Sequence, residues 1–149
     1  KMLKFLLLLL PAFAFAQNVD LRPYNLTATY MFILVDKDLN GQVDRNEIDL
    51  NFQQYDADHN GRVSRVEYIN YVNQHEPTLN LFHDALFDIY DVDGDHILYH
   101  NDYDNFYALM DGDGNGIVSH FEFVRYWTIL LETLEHLHNF GKSLQAPAQ

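Results

Sequence analysis

The sequence predicts an all-α protein, an array of helix-loop-helix units in compact tandem pairs with four acid-lined loops. Three observations predict it. A twelve-residue pattern, D-x-[DN]-x-[DN]-G-x5-E, stands at 36–47, 56–67 and 111–122, with a damaged copy at 91–102. An aromatic residue sits four positions before the first Asp of every copy: Phe32, Phe52, Phe87 and Tyr107. The copies begin at 36, 56, 91 and 111, so a pair spaced by 20 recurs after 55 residues.

The elements follow in order. A first helix is expected from near Pro23 to Val35. Val35, Tyr55, Tyr90 and Met110 lie directly before the loops. With the aromatics three positions earlier they share one helix face, so they are read as core. Between the first two loops only Ile48 to Tyr55 remain, and Tyr103 to Met110 fill the matching later gap. One short helix must therefore leave one loop and enter the next. About eleven residues at 1.5 Å each give roughly 16 Å, so an unbroken helix holds its two loops apart. Residues 65–74 read as helix, Gln74 to Pro77 as a break, and Thr78 as the cap of a helix to Tyr90. The second and third loops are then expected to pair, bringing Val63 to Leu98. By the pseudo-symmetry of such a pair, the first and fourth meet at the far end, Val43 near Val118. The competing layout has two lobes, 20–75 and 78–140, each with a kinked middle helix.

A long last helix is expected from His120 to Phe140, stopped by Gly141, with 142–149 a flexible tail. Phe123, Trp127, Leu130, Leu134 and Leu137 are spaced 4-3-4-3 along it. That stripe suits either the protein's own core or a dimer or partner seam.

Composition agrees with the loops. The chain has 22 acidic and 9 basic residues. Eleven of its sixteen Asp lie inside the four loops, each at a position that can face inward. The negative charge is therefore mostly an inventory of oxygen ligands rather than a solvated face. Basic residues are few and scattered, which excludes a nucleic-acid footprint. With 48% hydrophobic residues the chain can bury a core. It has no Cys, hence no disulfide or thiol chemistry. His136 and His138 are two apart on a helix flank and do not face one another, so they are not read as a transition-metal pair.

Lys1 to Lys4 is a short basic start, Phe5 to Leu10 is apolar, and the run closes on Ala14-Phe15-Ala16. This reads as a secretory signal peptide, 1–16, cleaved before Gln17. The apolar run is too short for a comfortable membrane span, so no membrane contact is expected after cleavage. The domain is then 17–141. Asn25-Leu26-Thr27 is a glycosylation sequon, with an unmodified helix-start Asn25 as the alternative.

The loop pattern resembles the calcium loop of the EF-hand superfamily, and the likeness covers roughly residues 30–125. The leader places it with the secreted branch. The resemblance implies Ca²⁺, a hard cation that takes six to eight oxygens. In the first loop it implies side-chain ligands from Asp36, Asp38 and Asn40, the carbonyl of Gln42, Asp44 through water, and both oxygens of Glu47. In the second it implies Asp56, Asp58, Asn60, the carbonyl of Arg62, Ser64 and Glu67. In the fourth it implies Asp111, Asp113, Asn115, the carbonyl of Ile117, Ser119 and Glu122. Val43, Val63, Leu98 and Val118 would form short strands against partner loops.

The third loop keeps Asp91, Asp93, Asp95 and the carbonyl of Ile97, but departs twice. His96 stands where Gly is expected, and left-handed His costs about 1–2 kcal/mol. Asp102 stands for Glu and is one methylene shorter. Three Ca²⁺ sites are expected, with a fourth that is weak or Mg²⁺-tolerant; an empty scaffold is the alternative.

Similar secreted EF-hand proteins occur in extracellular and biomineral matrices. The resemblance thus implies a structural matrix role, with a matrix component or mineral as partner. The alternative is an extracellular calcium sensor or buffer that binds a partner through the long last helix. Sensors of that kind use Met-rich grooves, and only Met31 and Met110 follow the leader. No motif of an enzyme is present: there is no nucleophile elbow, zinc-protease helix or phosphate-cradling loop.

Overall fold

The computed structural model describes residues 20–76 and 79–145. The expected leader, the break at Pro77, the Thr78 cap and the last four residues of the tail lie outside them. Among the described residues there are six helices and four two-residue strands, interleaved except where the third and fourth helices follow one another. Helix α1 is Tyr24–Val35, β1 Gln42–Val43, α2 Arg45–Tyr55, β2 Val63–Ser64 and α3 Arg65–His75. A 3-10 turn, Asn80–Phe82, leads into α4 at His83–Tyr90; β3 is Ile97–Leu98, α5 His100–Met110, β4 Val118–Ser119 and α6 His120–Gln145.

The loops' own residues start the helices that follow them. Asp44 accepts from the N–H of Glu47, whose carboxylate accepts from the N–H of Asp44. Ser64 with Glu67, and Ser119 with Glu122, repeat the exchange. This reciprocal pairing satisfies two donors that a helix start would otherwise leave open. At α5, Tyr99 stands in the capping position, and Asp102 accepts from its N–H at 2.9 Å.

Strand pairing follows the length argument. β1 runs antiparallel to β4, with Val43 opposite Val118. β2 runs antiparallel to β3, with Val63 opposite Leu98. The two-lobe layout is thereby rejected. α2 and α5 are eleven residues each and pack on one another between the two ladders. α1 packs on α6, and α3 on α4. The four loops thus form a closed circuit: first to second through α2, second to third by a ladder, third to fourth through α5, fourth to first by a ladder.

The core fills the space around α2 and α5. Val43, Val63, Leu98 and Val118 are fully buried, as are Phe52, Phe87 and Tyr107, and Phe32 is buried with them. Tyr55, Tyr90 and Met110 are buried too, while Val35 is only partly covered. Edge-to-face contacts link Phe52 to Tyr103, Tyr90 to Phe106, and Phe32 to Phe123. Such pairs stabilise by about 0.5–1.5 kcal/mol beyond their burial.

α6 corrects two expectations. Its buried stripe is Phe123, Trp127, Leu131 and Leu134; Leu130 is partly covered, and Leu137 is 60% exposed. A straight 3.6-residue helix drifts against a 4-3 spacing, so Leu131 replaces Leu130 at the centre. The stripe packs on α1 and closes the protein's own core. The helix also passes Gly141 and reaches Gln145, so the expected tail begins as helix. Glycine costs a helix only about 1 kcal/mol relative to Ala, too little to stop one by itself.

Candidate metal centres

Each loop is wound around its own first carboxylate. Asp36 accepts from the N–H of Asn40 at 3.1 Å and of Gly41 at 2.9 Å. Asp38 accepts from the N–H of Asn40, and the Asn40 side-chain oxygen from the N–H of Gln42. These short-range bonds mimic backbone turns and fix where the side chains aim. Asp56, Asp58 and Asn60 repeat them, as do Asp111, Asp113 and Asn115. The third loop repeats them through Asp91, Asp93 and Asp95. Its departures from the pattern leave this winding intact.

Two left-handed residues per loop make the turn. At the sixth position Gly41, Gly61 and Gly116 have φ of 83, 82 and 86°, and His96 adopts 68°. At the fourth position Leu39, His59, Gly94 and Gly114 all have positive φ. This second left-handed position was not anticipated. Gly94 and Gly114 were a visible signal for it, but Leu39 and His59 hid the regularity.

The last residue of each loop turns back over it. Glu47 Oε1 accepts from the N–H of Lys37 at 2.6 Å and of Asp38 at 3.3 Å. Glu122 Oε1 does the same with Gly112 and Asp113. Asp102 is shorter and reaches only Val92, at 3.2 Å. Even so, its carboxylate closes the set. Oxygens of Asp36, Asp38 and Glu47 lie within 4.8 Å of one another, as do those of Asp56, Asp58 and Glu67, of Asp91, Asp93 and Asp102, and of Asp111, Asp113 and Glu122. Asp102 is completely buried.

Other expected ligands have different partners. Asp44 caps α2. Asn40, Asn60 and Asn115 each donate their amide to the neighbouring Asp at position three. Ser64 and Ser119 donate their hydroxyls at 2.6 Å to Glu67 and Glu122. The Ser119 hydroxyl, then its N–H, holds the Glu122 carboxyl below the usual range. Burial pushes Glu67 up, but the Ser64 hydroxyl and N–H outweigh it and leave a net lowering. Both glutamates are thus kept ionised.

The donor sets fit a hard divalent cation, since each gathers three carboxylates and no nitrogen or sulfur ligand. Glu67 Oε1 gives a sharper test. It is buried, and the N–H of Asp58 faces it without closing a hydrogen bond. An ionised oxygen buried without a well-formed hydrogen bond is costly. A cation among Asp56, Asp58 and Glu67 would supply the missing partner.

The EF hand family model matches residues 48–72, which take in most of α2, the whole second loop and α3 as far as Val72. No curated protein and no solved structure matches the chain. The matched segment holds one of four loops of the same geometry, and the fold of the described residues is an all-α EF-hand array.

Proposed function

We propose that this protein is a secreted calcium-binding protein in which Ca²⁺ acts as a constant staple of an extracellular, matrix-type structural component. The observation that carries the reading is the convergence of three carboxylates in every loop. Unscreened, those carboxylates repel one another; a bound cation removes the repulsion and adds its binding energy to folding. The second, first and fourth loops take the ion through the residues named above, and the third takes it more weakly or accepts Mg²⁺. A chain without cysteine gains from the ions the cross-linking that disulfides give other secreted domains. Extracellular modules work with dissociation constants near 10⁻⁴–10⁻³ M, so such sites stay filled outside cells.

The leader-like run at 1–16 supports secretion. No helix among the described residues is long and apolar enough to cross a membrane. Asn25 is exposed on the first turn of α1, where a glycan would find room. A matrix component or a mineral surface is the partner this reading favours, and no catalytic role is assigned. Met110 is buried and Met31 packs against the core, which supports a staple over a sensor that opens a methionine groove.

Thermal unfolding and dye binding of residues 17–149 test the proposal. With 1 mM Ca²⁺ the staple reading expects a large rise in Tm over chelated protein and no gain in dye fluorescence. A dye signal that rises on calcium addition would replace the staple with a sensor.

A further inference from the structure

The residue four positions before each loop is Phe32, Phe52, Phe87 or Tyr107. Only the last carries a hydroxyl, and that group is placed at the junction of two loops. Tyr107 is 2% exposed. Its oxygen accepts from the N–H of Val118 at 3.1 Å. It lies 2.8 Å from the carbonyl of Val43 and 3.1 Å from that of Gly116, and can donate to either. Val43 and Val118 are the residues paired across the ladder of the first and fourth loops. Gly116 is the left-handed turn residue of the fourth loop. One buried side chain thus grips the ladder from both sides and the turn of one loop.

Its own helix adds a third connection. α5 carries Asp102, the closing carboxylate of the third loop, in its first turn, and its Tyr107 carbonyl accepts from the N–H of Asp111, the opening residue of the fourth. The Arg45 guanidinium lies 4.6 Å from the Tyr107 ring centre and pairs with Asp104 on the same helix. At the other ladder the matching place among the described residues is taken by Phe52, which has no hydroxyl and stacks on His100.

We propose that Tyr107 is a positioning residue whose hydroxyl couples the first and fourth loops, so that they take up calcium as one unit. The proposal rests on the calcium reading above. A cation in either loop fixes that loop's backbone. The hydroxyl transmits the constraint, because moving Val43 away from Val118 leaves a buried donor and a buried carbonyl without partners. Coupling of this kind needs a link with two definite states, hydrogen-bonded or broken, which both sites bias.

Tyr107→Phe tests it with the ring and packing kept. The amides of Gly41, Gly61 and Gly116 report their own loops in NMR during titration with CaCl₂. In the parent protein Gly41 and Gly116 should shift together, at one midpoint. In the variant their midpoints should separate, with roughly tenfold weaker uptake in at least one, the loss of about one buried hydrogen bond. Gly61 should hold its midpoint within about twofold, which also shows that the variant is folded. Hydrogen exchange in the calcium-free proteins gives a second readout, with Val118 exchanging faster in the variant and Val63 unchanged. Coincident midpoints for Gly41 and Gly116 in Tyr107→Phe would overturn the coupling while leaving calcium binding intact. Failure of all three glycines to respond in the parent would instead remove the calcium reading, and the coupling with it.

Discussion

The two ends of the molecule reach the same loop geometry with different chemistry. At one end the first and fourth loops have glycine at both sixth positions, and glutamates whose Oε1 each accepts two backbone N–H groups. Tyr107 bolts their ladder from inside. At the other end His96 replaces glycine, Asp102 replaces glutamate, and Glu67 holds a buried oxygen with no hydrogen bond. Behind that ladder lies a group of tyrosines, Tyr55, Tyr68, Tyr90 and Tyr103, with Tyr55 donating to Glu76 at 3.2 Å. At the first end both closing glutamates find backbone donors for both carboxylate oxygens. The other carries more that a cation would complete. The loop shape is therefore fixed by the first-position carboxylate and the two left-handed residues, and it tolerates either Glu or Asp as the closing residue.

Glu122→Gln strikes the satisfied end and should have the largest effect. It removes one of three converging charges, and ligand charge is a main lever on loop affinity. A fall on the order of 100-fold is expected in the fourth loop, about 2.7 kcal/mol, and a smaller fall in the first. Calorimetry that finds four undiminished sites in this variant would break the comparison.

Asp102→Glu sharpens the other end. The added methylene should let the carboxylate reach Asp93 as well as Val92, as Glu47 and Glu122 do in their loops. Calcium affinity of the third loop should rise about tenfold, or 1.4 kcal/mol, with less gain for Mg²⁺. The position is fully buried, so overpacking could cost about 1–3 kcal/mol of stability; a titration that monitors the third loop separates the two effects.

His96→Gly relieves a left-handed side chain, for about 1–2 kcal/mol. The freer unfolded chain offsets about 0.4–1 kcal/mol of that. A net gain below about 1.5 kcal/mol is expected in urea unfolding of the chelated protein. A loss would mean that the His96 ring, not its backbone, matters there.

The smallest effect concerns pH. Burial pushes the half-buried Glu76 carboxyl up, and the hydrogen bond from Tyr55 only partly opposes this. A carboxyl raised on folding binds its proton more tightly in the native state. Its stabilising share is therefore complete below the unfolded value and is lost as pH rises through the folded one. Glu76→Gln should flatten the stability profile just above the ordinary glutamate range and leave acid stability unchanged. A profile identical to the parent's would show that Glu76 is solvated.

Much of this was legible because chain length leaves little choice. Eight residues between loops permit one short helix, and a straight one forbids its two loops from meeting. The pairing of Val63 with Leu98 and Val43 with Val118 follows from that. The acidic positions were legible because their spacing encodes aim. Three features were not. Leu39 and His59 take a left-handed conformation that their side chains do not favour, since the loop around them imposes it. Leu131 displaced Leu130 because the helical drift is resolved only by the facing helix α1. The hydroxyl of Tyr107 reads as one more core aromatic until the partner strand is in place.

Calorimetric titration of the chelated chain with CaCl₂ tests the central claim most directly. Oxygen cages in four loops predict at least three ions per molecule at millimolar calcium, with a fourth that is weaker or exchanges with Mg²⁺. Uptake of one ion or none would contradict the account.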